Sequence, residues 1–195
     1  MKRVGVVVEG PSDFVFWSRF FGRRFSSLGY TFDVRSMKGG SRVIQESSEL
    51  TDVFYKAGYA SCIFILDADK LPCATAVLKQ FDEGVLAAAR KQPSECRFVN
   101  IFIALREIES WLLADEICIQ QLLSLHDYRS TSADSQRIAG KGKLLQLCRE
   151  QSLFPAGMKD RECARQAAGF FDPERAAPNS PSCSHFWNRL SARLK

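Results

Sequence analysis

Six carboxylates carry the chemistry open to this chain. Glu9 follows a short apolar run at residues 4–8, and Asp13 comes four residues later. Asp67 and Asp69 flank Ala68 directly after the apolar run at residues 62–66. Glu107 and Glu109 follow another such run at residues 98–105. Acids gathered from three segments repel one another, and some would have to keep their protons unless a cation stands among them. Mg²⁺ or Mn²⁺ suits such a set, because hard cations take oxygen ligands and leave places for substrate phosphate. One or two ions are expected here, with Glu9, Asp13, Asp67, Asp69, Glu107 and Glu109 as candidate ligands.

The elements that must bring these residues together read as alternating strands and helices. Residues 4–8, four valines and Gly5, form a short β-branched run that suits a strand buried on both faces. Gly10-Pro11-Ser12 then supplies a turn and a helix start, and apolar residues at 14, 16, 17, 20, 21 and 25 keep helical spacing. Residues 31–36 predict a second strand and 62–66 a third. A fourth is expected at 98–105, with helical stretches to about Lys56, over 75–90 and after Glu107. This β-α rhythm predicts an α/β fold with a mostly parallel four-stranded sheet flanked by helices. In such sheets ligands sit beyond the carboxyl ends of the strands, where all six acids are placed.

Past Leu125 the strand signal stops. Residues 127–142 are polar, contain Gly140-Lys141-Gly142 and read as a mobile connection; helices are expected at 143–149, 162–170 and 185–194. The division is therefore an α/β domain over 1–125 and a basic helical C-terminal extension over 126–195. The extension is basic because residues 1–125 hold 15 Lys+Arg and 15 Asp+Glu, whereas 126–195 hold 12 and 7, the whole net charge of +5. Such an excess can meet phosphate, although it can equally be a solvated face. Lys38, Arg42, Lys141, Lys143 and Lys159 are the candidate nucleic-acid contacts. Lys38-Gly39-Gly40-Ser41-Arg42 can cradle phosphate or serve simply as a flexible loop.

No apolar run approaches the roughly 20 residues that span a bilayer, and the first eight residues are too short for a secretory signal. A cytoplasmic protein without a membrane segment is expected. Seven cysteines without a C-x-x-C pair read as buried thiols rather than disulfides or a zinc site. Trp17, Trp111 and Trp187 read as core anchors, and His126 and His185 lack partners for nucleophilic catalysis.

Val6-Val7-Val8-Glu9-Gly10-Pro11-Ser12-Asp13 and Phe64-Ile65-Leu66-Asp67-Ala68-Asp69 resemble the Toprim domain of topoisomerases, bacterial primases, recombination-mediator proteins and overcoming-lysogenization-defect (OLD) nucleases. The spacing of Glu9 and Asp13 looks most like the OLD branch. Arg106 to Asp115, with Ser180 to Trp187, resembles small stand-alone Toprim proteins, many encoded beside AAA or ABC-type ATPases in phage-defence loci. The resemblance implies a Rossmann-like Toprim domain in which Glu9, Asp67 and Asp69 are catalytic. Asp13, Glu107 and Glu109 would complete a second metal position. Lys141, Lys143 and Lys159 are candidates for the lysine that often completes the OLD site. It further implies a Mg²⁺-dependent nuclease acting on phosphodiesters in an ATPase-linked anti-phage system, with an ATPase partner and a homo-oligomer as possible assemblies. There is no zinc-ribbon pattern, no topoisomerase tyrosine context and no Gly-x-x-x-x-Gly-Lys-Ser/Thr, so ATP hydrolysis would fall to the partner. The competing expectation is a non-catalytic Toprim module that binds a partner ATPase. A phospho-acceptor of the receiver type needs a lysine after a fifth strand, which the sequence does not predict.

Overall fold

The structure is a computed structural model and describes residues 1–68, 73–90, 98–105, 107–130 and 140–194. Among them, four strands form one sheet in the order β2-β1-β3-β4: β1 (Lys2–Val8), β2 (Tyr30–Ser36), β3 (Ser61–Asp67) and β4 (Val99–Ala104). Every neighbouring pair is parallel, and Val8 lies beside Ser36 while Asp67 lies beside Ala104. All four carboxyl ends therefore share one rim. Parallel strands require long crossovers. These are α1 (Pro11–Phe25), the pair α2 (Gly40–Gln45) and α3 (Ser47–Lys56), and the pair α4 (Ala74–Leu78) and α5 (Glu83–Arg90).

The central strands are apolar on both faces because helices cover both. Val4, Val6, Val8, Ile63, Ile65, Phe102 and Ala104 face one layer. Val7, Cys62, Phe64, Leu66, Val99, Ile101 and Ile103 face the other, against α2 to α5. The alternation follows from side chains that point to opposite faces at successive positions. The first layer holds α1, α6 (Ile108–Ala114), α7 (Glu116–Leu123), α8 (Gly140–Glu150), α9 (Arg161–Phe170) and α11 (Pro181–Arg193), with α10 (Pro173–Ala176) between the last two.

Aromatic rings join that layer. Trp17 of α1 meets Phe186 of α11 at 5.3 Å, and Trp111 of α6 stacks on Phe186 at 5.0 Å. Phe171, directly after α9, meets Phe16 at 5.8 Å. Each such pair contributes roughly 0.5–1.5 kcal/mol beyond its area burial. Trp17 and Trp111 are core anchors as expected, but Trp187 is half-buried: its ring packs on Phe25 and lies beneath the Arg24 guanidinium at 4.9 Å.

Several expected helices have other limits. The stretch at 75–90 is two helices, because Lys79, Gln80 and Phe81 close tight turns that drive Phe81 against Phe64. The helix before Lys56 is also broken, at Glu46. The last helix begins four residues early, where the Ser180 hydroxyl accepts the Cys183 amide as an N-cap. Gly140-Lys141-Gly142 is not a connection but the first turn of α8; residues 131–139 lie outside the described residues. Six cysteines carry free thiols, five buried and Cys73 exposed, whereas Cys96 is not described.

Candidate metal centre

The rim of the sheet is built from backbone outward. Val8 ends β1, and its carbonyl accepts the Met37 amide, which holds the loop after β2 close by. Gly39, at φ 107°, donates to the Glu9 carbonyl at 3.0 Å. That left-handed conformation favours glycine. The next residue is glycine for a different reason: a Cβ on Gly40 would stand 3.0 Å from Glu9 Oε1. Gly39 thus holds the Glu9 backbone, and Gly40, the first residue of α2, lies directly against the Glu9 carboxylate. Gly10 opens α1, where Asp13 Oδ2 accepts the Gly10 amide at 2.9 Å. That bond turns Asp13 back toward the rim.

Asp67 stands at the centre. The Asp67 amide donates to Glu9 Oε1 at 2.8 Å, tying the ends of β1 and β3 together. Its own carboxylate accepts the Ile108 amide at 2.9 Å through Oδ1 and the Lys141 ammonium at 3.2 Å through Oδ2. Glu109, in the first turn of α6, is 4% exposed, and its Oε2 has no hydrogen-bond partner among the described residues. Glu9, Asp13, Asp67, Glu109 and Lys141 line one cleft of about 560 Å³. Lys38 and Lys159 stand at its edge, and Ser12, Ser36 and Met158 complete the walls.

The electrostatics follow from burial. Desolvation raises Asp67 well above its usual range, and the neighbouring Glu109 charge raises it further. Burial also lifts Asp13, against the opposing effect of the Gly10 amide bond. Glu109 is pushed by desolvation from 4.5 up to about 7. Burial works against the charge on Lys141, but Asp67 and Glu109 outweigh it and the ammonium is held more firmly protonated. Carboxyls perturbed together in one cleft mark a candidate functional site.

The expected acids do not all share this arrangement. Glu107 turns away from the cleft floor, and its Oε2 accepts the Lys141 amide at 2.6 Å. Asp69 lies outside the described residues. Among the described residues, no three acid, histidine or cysteine side chains converge closely enough to form a ready cation cage. Of the candidate bases, Lys38, Lys141 and Lys159 line the cleft. Arg42 points elsewhere and pairs with Glu46 at 2.6 Å. Lys143 sits on α8 outside the cleft lining. Ser12, Ser36 and Met158 were not foreseen as lining residues, since nothing in their spacing sets them apart from ordinary loop and turn positions.

The fit to a hard cation can be judged from the donors present. All are carboxylate oxygens, three are destabilised as anions by their surroundings, and one buried oxygen is unsatisfied. Each of these features would be relieved by a divalent cation, so the chemistry of the donors fits a hard cation, although no three of the described ones form a preformed cage.

Glu109 gives a pH prediction. A carboxyl at about 7 when folded and 4.5 when unfolded holds its proton more tightly in the folded chain. Its contribution to stability is complete below about pH 4.5 and is lost as pH rises through 7. In chelator, thermal unfolding should show the fold losing about 3 kcal/mol over that window from this group. Glu109→Gln should flatten the dependence. An equally steep pH profile in that variant would show that Glu109 is not the group concerned.

A family model described as "Domain of unknown function (DUF4276)" matches residues 8–191. No curated protein matches the chain. Among solved structures, the chain is similar to the C-terminal region of the Burkholderia pseudomallei OLD protein, at 15% identity and a TM-score of 0.52, covering 100% of both chains. The shared fold is the parallel sheet with helices on both faces and further helices at the C-terminal end.

Proposed function

The chain belongs to the DUF4276 family, a domain of unknown function, and we propose that it is a Toprim-type, Mg²⁺-dependent nuclease that cleaves nucleic-acid phosphodiesters. The observation that supports this reading best is the cleft itself. Glu9, Asp13, Asp67 and Glu109 arrive from three strand ends, with the Glu109 Oε2 buried and unsatisfied and with Lys141 against Asp67. The likeness in fold to the OLD C-terminal region adds to it.

In this reading Asp67 and Glu9 hold the cation, with Asp69 expected to join them, and Asp13 and Glu109 serve a second position. The chemistry that bound Mg²⁺ or Mn²⁺ supplies is neutralisation of the phosphodiester charge and activation of water. The chain's own residues do the rest. Lys141 holds a positive charge beside the carboxylates, where negative charge grows on a transferring phosphoryl group. Lys38 and Lys159 bind strand phosphates at the cleft edge. Gly39 holds the Glu9 backbone, and Gly40 at the start of α2 packs against the Glu9 carboxylate. The reading includes an ATPase partner acting in anti-phage defence, for which the likeness to the OLD region speaks; with no P-loop in the sequence, any ATP hydrolysis would fall to that partner. No helix among the described residues is long and apolar enough to cross a membrane.

The test is a cleavage assay on single- and double-stranded DNA and RNA with Mg²⁺ or Mn²⁺, for the chain alone and with any ATPase encoded beside it. Cleavage by the wild type that chelator and Glu9→Gln both abolish is the expected result. No cleavage under any condition, or equal cleavage by Glu9→Gln, would reject the proposal in favour of a non-catalytic module.

A further inference from the structure

The ammonium of Lys141 reaches Asp67 from a helix that follows it by more than 70 positions, and something must fix that helix in height. Two contacts at the start of α8 do so. The first is steric. Gly140 is buried against α6, and a Cβ there would stand 2.6 Å from the Ser110 backbone nitrogen, 2.7 Å from its Oγ and 3.0 Å from the Glu109 carbonyl carbon. Real Cβ atoms do not approach backbone so closely, so any other residue would force the two helix ends apart.

The second contact is polar. Glu107 is the N-cap of α6, and its Oε2 accepts the Lys141 amide at 2.6 Å, capping α8 with a carboxylate. A negative group at a helix start is favoured by the exposed amides and the helix dipole there. The starts of α6 and α8 are thereby locked to each other. Glu109, on the first turn of α6, faces the cleft that Lys141 closes from α8.

We propose that Gly140 and Glu107 are positioning residues for Lys141, and that Glu107 serves this junction rather than a cation. Their importance for activity rests on the nuclease reading above; the junction itself does not. Residues two apart at a helix start point in different directions, which separates Glu107 from Glu109 in role. The junction makes the lysine's placement a property of α6, the helix that also carries Glu109.

Carbodiimide coupling tests this without cation or substrate, because it joins an amine to a touching carboxylate with loss of water. In the intact wild-type chain, mass spectrometry should find an isopeptide between Lys141 and Asp67. The exposed pair Lys56 and Asp52, at 3.9 Å, is the internal control. Gly140→Ala and Glu107→Ala should each lower the Lys141–Asp67 yield about fivefold, the population change expected from losing one such anchor, with the control pair unchanged. Leu147→Ala, which weakens the other end of α8 without touching the junction, should keep the wild-type yield. Absence of the link in the wild type, an undiminished link in either junction variant, or an equal loss in Leu147→Ala would overturn the proposal. Should Gly140→Ala fail to fold, Glu107→Ala decides it, since that change only removes atoms. A chain that cuts nothing but shows this coupling pattern would reject the nuclease reading and leave the junction standing.

Discussion

Asp67→Asn should abolish cation-dependent cleavage, by a factor of at least about 10²–10³, while leaving the fold as stable as before or more so. The two halves of this expectation come from different atoms. The asparagine carbonyl can still accept the Ile108 amide that Asp67 Oδ1 accepts, so the junction of β3 and α6 survives. What disappears is a buried negative charge that desolvation and Glu109 destabilise and that the half-exposed Lys141 ammonium offsets only in part. Removing it relieves repulsion in the metal-free chain and deprives a cation of its central ligand. Thermal unfolding in chelator beside steady-state cleavage separates the two effects. A large loss of stability together with activity would place Asp67 among structural acids instead.

Asp115→Ala should show the opposite pattern. Asp115 is fully buried and is held at four points: two bonds from Arg175 at 2.9 Å each, the Asp172 amide at 2.8 Å and the Cys118 amide at 3.1 Å. It caps α7 and ties the α6–α7 corner to the start of α10. Truncation leaves the Arg175 guanidinium with only the Phe170 carbonyl at 2.6 Å and Asp172 at 4.0 Å, and leaves two amides without an acceptor. Breaking a buried pair from one side costs about 3–5 kcal/mol. Arg175 is 35% exposed, so the loss falls at the lower end, which for a chain of this size is a fall of roughly 10 °C in Tm. Below the transition, cation binding at the cleft should persist, because Asp115 lies at the far end of α6 from Glu109. Urea unfolding with a cation titration would check both parts. A loss under about 1 kcal/mol would mean that solvent replaces the Arg175 contacts.

Much of this architecture was legible in the sequence because it depends on short-range pattern. The runs at 4–8 and 62–66 are short, apolar at consecutive positions and bounded by turn residues, as a strand covered on both faces requires. Acids directly after them fall at the carboxyl rim by topology alone. Where the sequence failed, tertiary packing decided. Gly140-Lys141-Gly142 looks like a connection, since glycine weakens helices; the close approach of Ser110 is what makes glycine necessary there. Lys141, Lys143 and Lys159 were equal candidates, and only the docking of α8 on α6 sets Lys141 against Asp67. The roles of Glu107 and Glu109 were not separated either, although their spacing at a helix start already argues that both cannot face one cleft. The basic excess after residue 126 is likewise distributed by packing: Lys141 and Lys159 reach the cleft, whereas Arg175 holds Asp115.

The central claim is that the acids of the rim form a cation site, and a Mn²⁺ titration followed by the resonance of the free ion tests it most directly. At pH 8, above the range in which Glu109 holds its proton, the wild type should bind Mn²⁺ saturably. Asp67→Asn and Glu109→Gln should each weaken that binding more than about tenfold, and wild-type affinity should fall as pH drops through 7. Mn²⁺ that never saturates, or that binds all three proteins equally, would contradict the account.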